Sequence, residues 1–143
     1  MGQYRTVLNG AFMFVTTVTR NREPFFIQTT HAREAVDTLY RVKRLHPFFL
    51  YGFVVMPDHC HFLLFVTQPE TISRIMNVFK SGLTFNTGIP RIWQKRFHIK
   101  TVQNLRPVLR YIHNNPVEAG FVSRPEDYPW SSACGRWKVA ALP

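Results

Sequence analysis

Apolar positions along the chain fall into alternating blocks of strand and helix periodicity. Residues 11–18 are apolar and β-branched and read as a strand. Asn21-Arg22-Glu23-Pro24 reads as a turn. From residue 32 to about residue 45, Ala32, Ala35, Val36, Leu39 and Val42 recur at helical spacing, and Pro47 stops that helix. Residues 48–56 and 60–67 are two strand-length apolar runs joined by a short Pro57-Asp58 connection, the pattern of an antiparallel hairpin. Ile72, Ile75, Met76, Phe79 and Leu83 make a helical stripe, with Arg74, Asn77, Lys80 and Ser81 on the opposite face and Thr71 placed to cap its start. Gly88 and Pro90 break the chain. Residues 97–102 read as a further strand. Residues 105–114 read as a short helix, with Pro107 tolerated in its first turn and Pro116 ending it. The proline-bearing tail, 124–143, is expected to be irregular. Strand, helix, strand, strand, helix, strand, helix predicts an α+β domain over residues 1–143, an antiparallel sheet with helices packed on one face.

Composition narrows what such a domain does. The chain has 143 residues, enough for one packed core, and no apolar run approaches the roughly 18 residues of a membrane span. The N-terminus, with Gln3, Tyr4 and Arg5, carries no signal-peptide pattern. Cys60 and Cys134 make no disulfide framework, so a reducing, cytoplasmic setting is expected. Lys and Arg number 18 against 8 Asp and Glu. No acid occurs between Glu70 and Glu118, a stretch that holds Arg74, Lys80, Arg91, Lys95, Arg96, Lys100, Arg106 and Arg110. A field of one sign attracts a polyanion and releases its counterions, so these eight are candidate DNA-binding residues. Trp93 and Phe97 lie within the run and could stack on unpaired bases. A nuclease built on clustered carboxylates is disfavoured by the same shortage of acids.

Two short motifs carry candidate chemistry. In Met56-Pro57-Asp58-His59-Cys60-His61, residues two apart on a strand share a face, so His59 and His61 present two imidazoles together while Cys60 points away. Paired imidazoles can hold a divalent ion and leave positions open. A structural zinc finger is excluded, because Cys134 has no partner at finger spacing. In Tyr111-Ile112-His113-Asn114-Asn115-Pro116, Leu105, Val108, Leu109 and Ile112 form the buried stripe; Tyr111 and Asn115 stack on one flank and His113 lies on the other. Taken alone, each motif also fits a structural role. His31, His46, His98, Cys134 and Tyr128 have no neighbour at ligand or triad spacing and read as structural.

Together, Met-Pro-Asp-His-Cys-His-Phe-Leu-Leu (56–64) and Tyr-Ile-His-Asn-Asn-Pro-Val-Glu-Ala-Gly-Phe-Val (111–122) resemble the REP-associated tyrosine transposases. These are IS200-like enzymes of the His-hydrophobe-His nuclease superfamily. Ile92-Trp93-Gln94-Lys95-Arg96-Phe97 and Pro125-Glu126-Asp127-Tyr128-Pro129-Trp130-Ser131-Ser132 extend the resemblance over about residues 11–133. It implies a ferredoxin-like, RRM-like sheet and a homodimer. It implies a Mg²⁺ or Mn²⁺ ion on His59, His61 and Asn115, and Tyr111 as the nucleophile. The implied substrate is single-stranded DNA, often a hairpin, cut and rejoined through a 5′-phosphotyrosine. Cys60 stands where relatives carry a bulkier hydrophobe, and His98-Ile99-Lys100-Thr101 replaces an acidic-basic run. The alternative function on such a sheet is a non-catalytic single-stranded nucleic-acid binder, although Phe62-Leu63-Leu64-Phe65-Val66 lacks the basic-Gly-aromatic lead of such binders.

Overall fold

The computed structural model describes residues 10–143; the polar start at Gln3, Tyr4 and Arg5 lies outside the described residues. Four strands, β1 (Phe12–Thr19), β2 (Phe49–Met56), β3 (His59–Phe65) and β4 (Trp93–Val102), form one sheet in the order β2-β3-β1-β4. Every neighbouring pair is antiparallel. Helices α1 (Thr29–Leu45), α2 (Ile72–Thr87) and α3 (Leu105–Glu118) connect and follow them. This is the ferredoxin-like β-α-β-β-α-β order, with α3 appended.

Strand alternation sorts the residues between the two sides of the sheet. Met13 and Val15 of β1, Phe53 and Val55 of β2, and Cys60, Phe62 and Leu64 of β3 point to one side, where they meet Val36, Leu39, Ile75 and Phe79 of α1 and α2. Phe12, Phe14, Val54, Met56 and Leu63 point to the other, where α3 lies with Leu105 and Ile112. The antiparallel α+β sheet is as expected; the helices differ from the expectation of a single covered face. Two pack on one side and α3 on the other, because β1 and β3 are apolar on both faces and cannot leave either in water.

Local signals act where expected. Pro57 and Asp58 alone join β2 to β3. Thr71 accepts a hydrogen bond from the Arg74 amide at 3.1 Å and caps α2, and Gly88 closes it at φ 70° with its amide on the Thr84 carbonyl. Three departures follow from tertiary pairing. β4 starts four residues before the expected residue 97, because Trp93 pairs with Thr19 beyond a bulge. Pro116 does not end α3, which runs on to Glu118. A proline near a helix end forfeits only its own donor, and Pro116 is buried. The tail has little regular structure but is ordered onto the outer edge of β2: Val55 donates to the Trp130 carbonyl and Ala140 to the Leu50 carbonyl, each at 2.8 Å, and Ser131 bridges to Val54. That covers an edge otherwise open to pairing.

Gly52 sets how closely α3 approaches the sheet. A Cβ there would collide with Leu109 Cδ1 and reach within 3.3 Å of Ser132 Oγ. Gly52→Val is therefore expected to lift α3 and cost about 1–3 kcal/mol, with Gly52→Ala costing less. A thermal melt that is unchanged in both variants would show that the close approach carries no constraint.

Candidate functional site

The site forms where α3 crosses β3. His59 and His61 both face α3, with ring centroids 4.6 Å apart, and Cys60 is fully buried on the opposite side. Along α3, the ring of Tyr111 lies 5.7 Å from His61, and one turn later Asn115 Oδ1 lies 3.1 Å from His59 Nε2. Phe14 on β1 completes the wall, 4.9 Å from His61 and edge-on to Tyr111 at 6.0 Å. Tyr111 remains 54% exposed. Two imidazoles, an amide oxygen and an accessible phenol thus share one surface of one chain.

Neighbours fix the ring nitrogens. His59 Nδ1 is 2.7 Å from Asp58 Oδ1, and Asp58 Oδ2 is 3.1 Å from Arg22 Nη1. Burial would raise the Asp58 pKa. The hydrogen bond and charge of His59, and then those of Arg22, outweigh it and hold the carboxyl below its ordinary value. A carboxylate beside Nδ1 makes that nitrogen an N–H donor and fixes the orientation of the ring. His61 Nδ1 bonds Thr16 Oγ1 at 2.8 Å. His61 is 6% exposed, and its pKa is pushed down to about 3, first by burial and then by the neighbouring His59 charge, so its imidazole is neutral.

Two imidazoles and an amide oxygen together form a donor set that can hold a divalent ion. His59 Nε2 and Asn115 Oδ1 stand 3.1 Å apart, within hydrogen-bond distance, so the strand imidazole and the helix amide meet at one point. Among the described residues no three His, Cys, Asp or Glu side chains converge, and Asn115 is the amide that stands beside the two imidazoles.

The candidate DNA-binding residues are not one patch. Lys100, paired with Phe14 across β1 and β4, lies on the imidazole side and lines a groove with Tyr111, Phe14 and Val108. Lys80, Arg91, Trp93 and Lys95 line a different groove, between α2 and the start of β4, beyond the sheet from the imidazoles. Lys80 Nζ donates to the Gln94 carbonyl and lies over the Phe97 ring. Arg106 and Arg110 sit on the flank of α3 away from Tyr111, with His113 and Ser132. Arg74 is exposed at the start of α2 and Arg96 is exposed on β4. Trp93 is half-buried: its ring packs against Phe26 at 5.5 Å and Phe79 at 5.8 Å, while it also borders the groove between α2 and β4. A basic run that crosses an edge strand and a helix is dealt to several directions by their two periodicities.

Four of the five residues read as structural are so placed, whereas exposed His98 pairs with Thr16 across β1 and β4, on the imidazole side. His31 stacks on Phe25, His46 pairs with Glu70, Tyr128 donates to the Val55 carbonyl, and Cys134 reaches the Pro129 carbonyl. Sequence reasoning missed Asp58, Thr16, Arg22 and Phe14 as members of the site. An acid directly before a candidate ligand histidine was a usable signal for Asp58. Thr16 and Phe14 carry no local signal, since only the β1–β3 register brings them to His61.

Comparison with known proteins agrees in extent with this architecture. The transposase IS200-like family matches residues 11–115. A REP-associated tyrosine transposase of Escherichia coli (strain K12) is 32% identical across 92% of this chain and 82% of its own. A relative from Haemophilus influenzae is 27% identical, across 92% and 85%. The solved structure of a REP-associated tyrosine transposase bound to a REP hairpin superposes with a TM-score of 0.78 at 27% identity, covering 94% of this chain and 89% of that one.

The buried His61 gives a pH prediction. Its folded pKa of about 3 lies below its ordinary 6.5. Between those values the unfolded chain binds the extra proton, so metal-free protein is expected to lose stability as pH falls from 6.5 towards 3. His113, also lowered by burial, acts in the same direction. Thermal midpoints of His61→Asn should therefore fall less than those of the unaltered protein between pH 7 and pH 5. Equal falls would contradict the neutral, buried state of His61.

Proposed function

The chain belongs to the IS200-like transposase family, and from that premise we propose that it cuts and rejoins single-stranded DNA through a covalent 5′-phosphotyrosine on Tyr111. The observation that supports this most is the half-exposed phenol of Tyr111 beside a neutral, buried imidazole, one helical turn from the His59–Asn115 contact. His59, His61 and Asn115 would hold a divalent ion, Mg²⁺ or Mn²⁺. When bound, that ion polarises and positions the scissile phosphate. Asp58 and Thr16 fix the two imidazoles so that their other nitrogens stay available.

In the transfer, the Tyr111 hydroxyl oxygen forms a bond to phosphorus as the bond from phosphorus to the 3′ oxygen breaks. The phenolic proton passes to solvent, and the departing oxygen takes up a proton to become a free 3′-OH. The number of phosphoester bonds is unchanged, so the reverse attack rejoins a strand without a nucleotide cofactor. A solved relative is bound to a REP hairpin, and a hairpin-bearing single strand is the substrate proposed here. A homodimer belongs to the same reading, each copy holding its own Tyr111, His59, His61 and Asn115.

Labelled hairpin-bearing single strands incubated with the protein and Mn²⁺ should yield a covalent adduct on a denaturing gel. The adduct should vanish with Tyr111→Phe and with chelation of the ion. An equal yield from Tyr111→Phe would remove the nucleophile assignment. Asp58→Asn is expected to weaken Mn²⁺ binding by about 10- to 100-fold, measured by calorimetry without DNA. Unaltered affinity would mean that the Asp58–His59 hydrogen bond does not tune the site.

A further inference from the structure

A second groove, ≈ 480 Å³ in volume, opens on the side of His59 away from Tyr111. Its walls are Arg22, Pro57, His59, Asn115, Glu118 and Phe121, and it includes neither Tyr111 nor His61. The groove lined by Tyr111, Phe14 and Lys100 shares none of these residues. The order along the α3–β3 crossing is therefore Tyr111 with His61, then His59 with Asn115, then the second groove.

Displacement at phosphorus is in line: the entering and leaving oxygens stand on opposite sides of the phosphorus. With the phosphate at the imidazoles and amide, and the entering oxygen on Tyr111, the leaving 3′ oxygen points away from Tyr111. That direction runs into the second groove. We propose that this groove holds the nucleotide immediately 5′ of the cut, the one released with the free 3′-OH, with its base stacked on Phe121. The inference rests on the function proposed above.

The surroundings suit that occupant. Phe121 is 48% exposed, so one face of its ring is open to solvent. It is nevertheless held in place: its amide donates to the Pro116 carbonyl at 2.9 Å, and its ring lies 6.4 Å from the ring of Tyr128. Tyr128 is itself anchored by a 2.7 Å hydrogen bond to the Val55 carbonyl. A fixed aromatic face with solvent on one side is a stacking platform for an unpaired base. Charge points the same way. Arg22 is already paired to Asp58, and Glu118 lines the same groove. A base and a sugar with a free hydroxyl fit there better than a second phosphate. The Arg22 wall adopts left-handed backbone, φ 56° at Asn21 and 51° at Arg22, a conformation that side-chain-bearing residues hold only when their surroundings impose it. Thr19 Oγ1, which donates to the Glu23 carbonyl at 2.7 Å, helps impose it.

The test begins by mapping the cut on a hairpin-bearing single strand from its free 3′ end. The base just 5′ of that position is then removed to leave an abasic sugar. With unaltered protein this should lower adduct formation about tenfold, within the range for one stacked base. With Phe121→Ala, adduct formation should already be reduced to that level, and the abasic substrate should cost nothing further. Phe121→Tyr, which keeps an aromatic face, should restore the difference. In a parallel binding measurement, 2-aminopurine at the same position should lose fluorescence on binding uncleaving Tyr111→Phe protein in chelator. It should keep its fluorescence when Phe121→Ala is added to that variant. An abasic penalty equal in the unaltered and Phe121→Ala proteins, or quenching independent of Phe121, overturns the groove assignment while leaving the phosphotyrosine reading intact. Absence of any adduct from unaltered protein overturns both.

Discussion

The contact between His59 Nε2 and Asn115 Oδ1 joins a strand to a helix that share no sequence neighbourhood. The site depends on it. β3 alone supplies two imidazoles, and α3 alone supplies a phenol and an amide; a reaction centre exists only if the helix crosses the strand at one depth and one rotation. Gly52 allows the depth, because Leu109 occupies the space its side chain would need. The buried stripe of α3, with Leu105 and Ile112 set against Val54, Met56 and Leu63, fixes the rotation. One turn of helix then separates Tyr111 from Asn115, as two residues of strand separate His61 from His59.

A second layer of contacts prepares those groups. The carboxylate of Asp58 and the hydroxyl of Thr16 each occupy the Nδ1 of one imidazole, and burial keeps His61 neutral. Groups held this way lose little freedom when a ligand arrives. The sheet that carries them is closed at its β2 edge by the tail, through Trp130, Ser131 and Ala140. A segment without regular structure thereby protects the strand that ends at the Pro57-Asp58 turn and the imidazole pair.

The distribution of cations separates attraction from chemistry. A net charge of +10 favours approach of a nucleic acid to the molecule as a whole. Lys100 shares the imidazole face near the phenol, whereas Lys80, Arg91, Lys95, Arg106 and Arg110 border other grooves and Arg74 and Arg96 are exposed on α2 and β4. The residues close to the imidazoles are chiefly uncharged or paired: Thr16, Phe14, Asn115, and Asp58 with Arg22.

The order of elements, the hairpin at Pro57-Asp58, the Thr71 cap and the placement of His59 beside His61 were legible in the sequence, because each follows from periodicities or steric preferences acting over a few residues. So was the common flank of Tyr111 and Asn115, which needs only the pitch of a helix. The membership of Thr16, Phe14 and Arg22 was not legible. Neither were the crossing of α3 over the far face of the sheet, the continuation of that helix past Pro116, the packing of Trp93 against Phe26 and Phe79 and the scattering of the basic run. Each of these is decided by which strands pair, in which register, and by which face must be covered. Such long-range choices are made by the burial of the whole apolar surface at once, and no local window of the chain contains them.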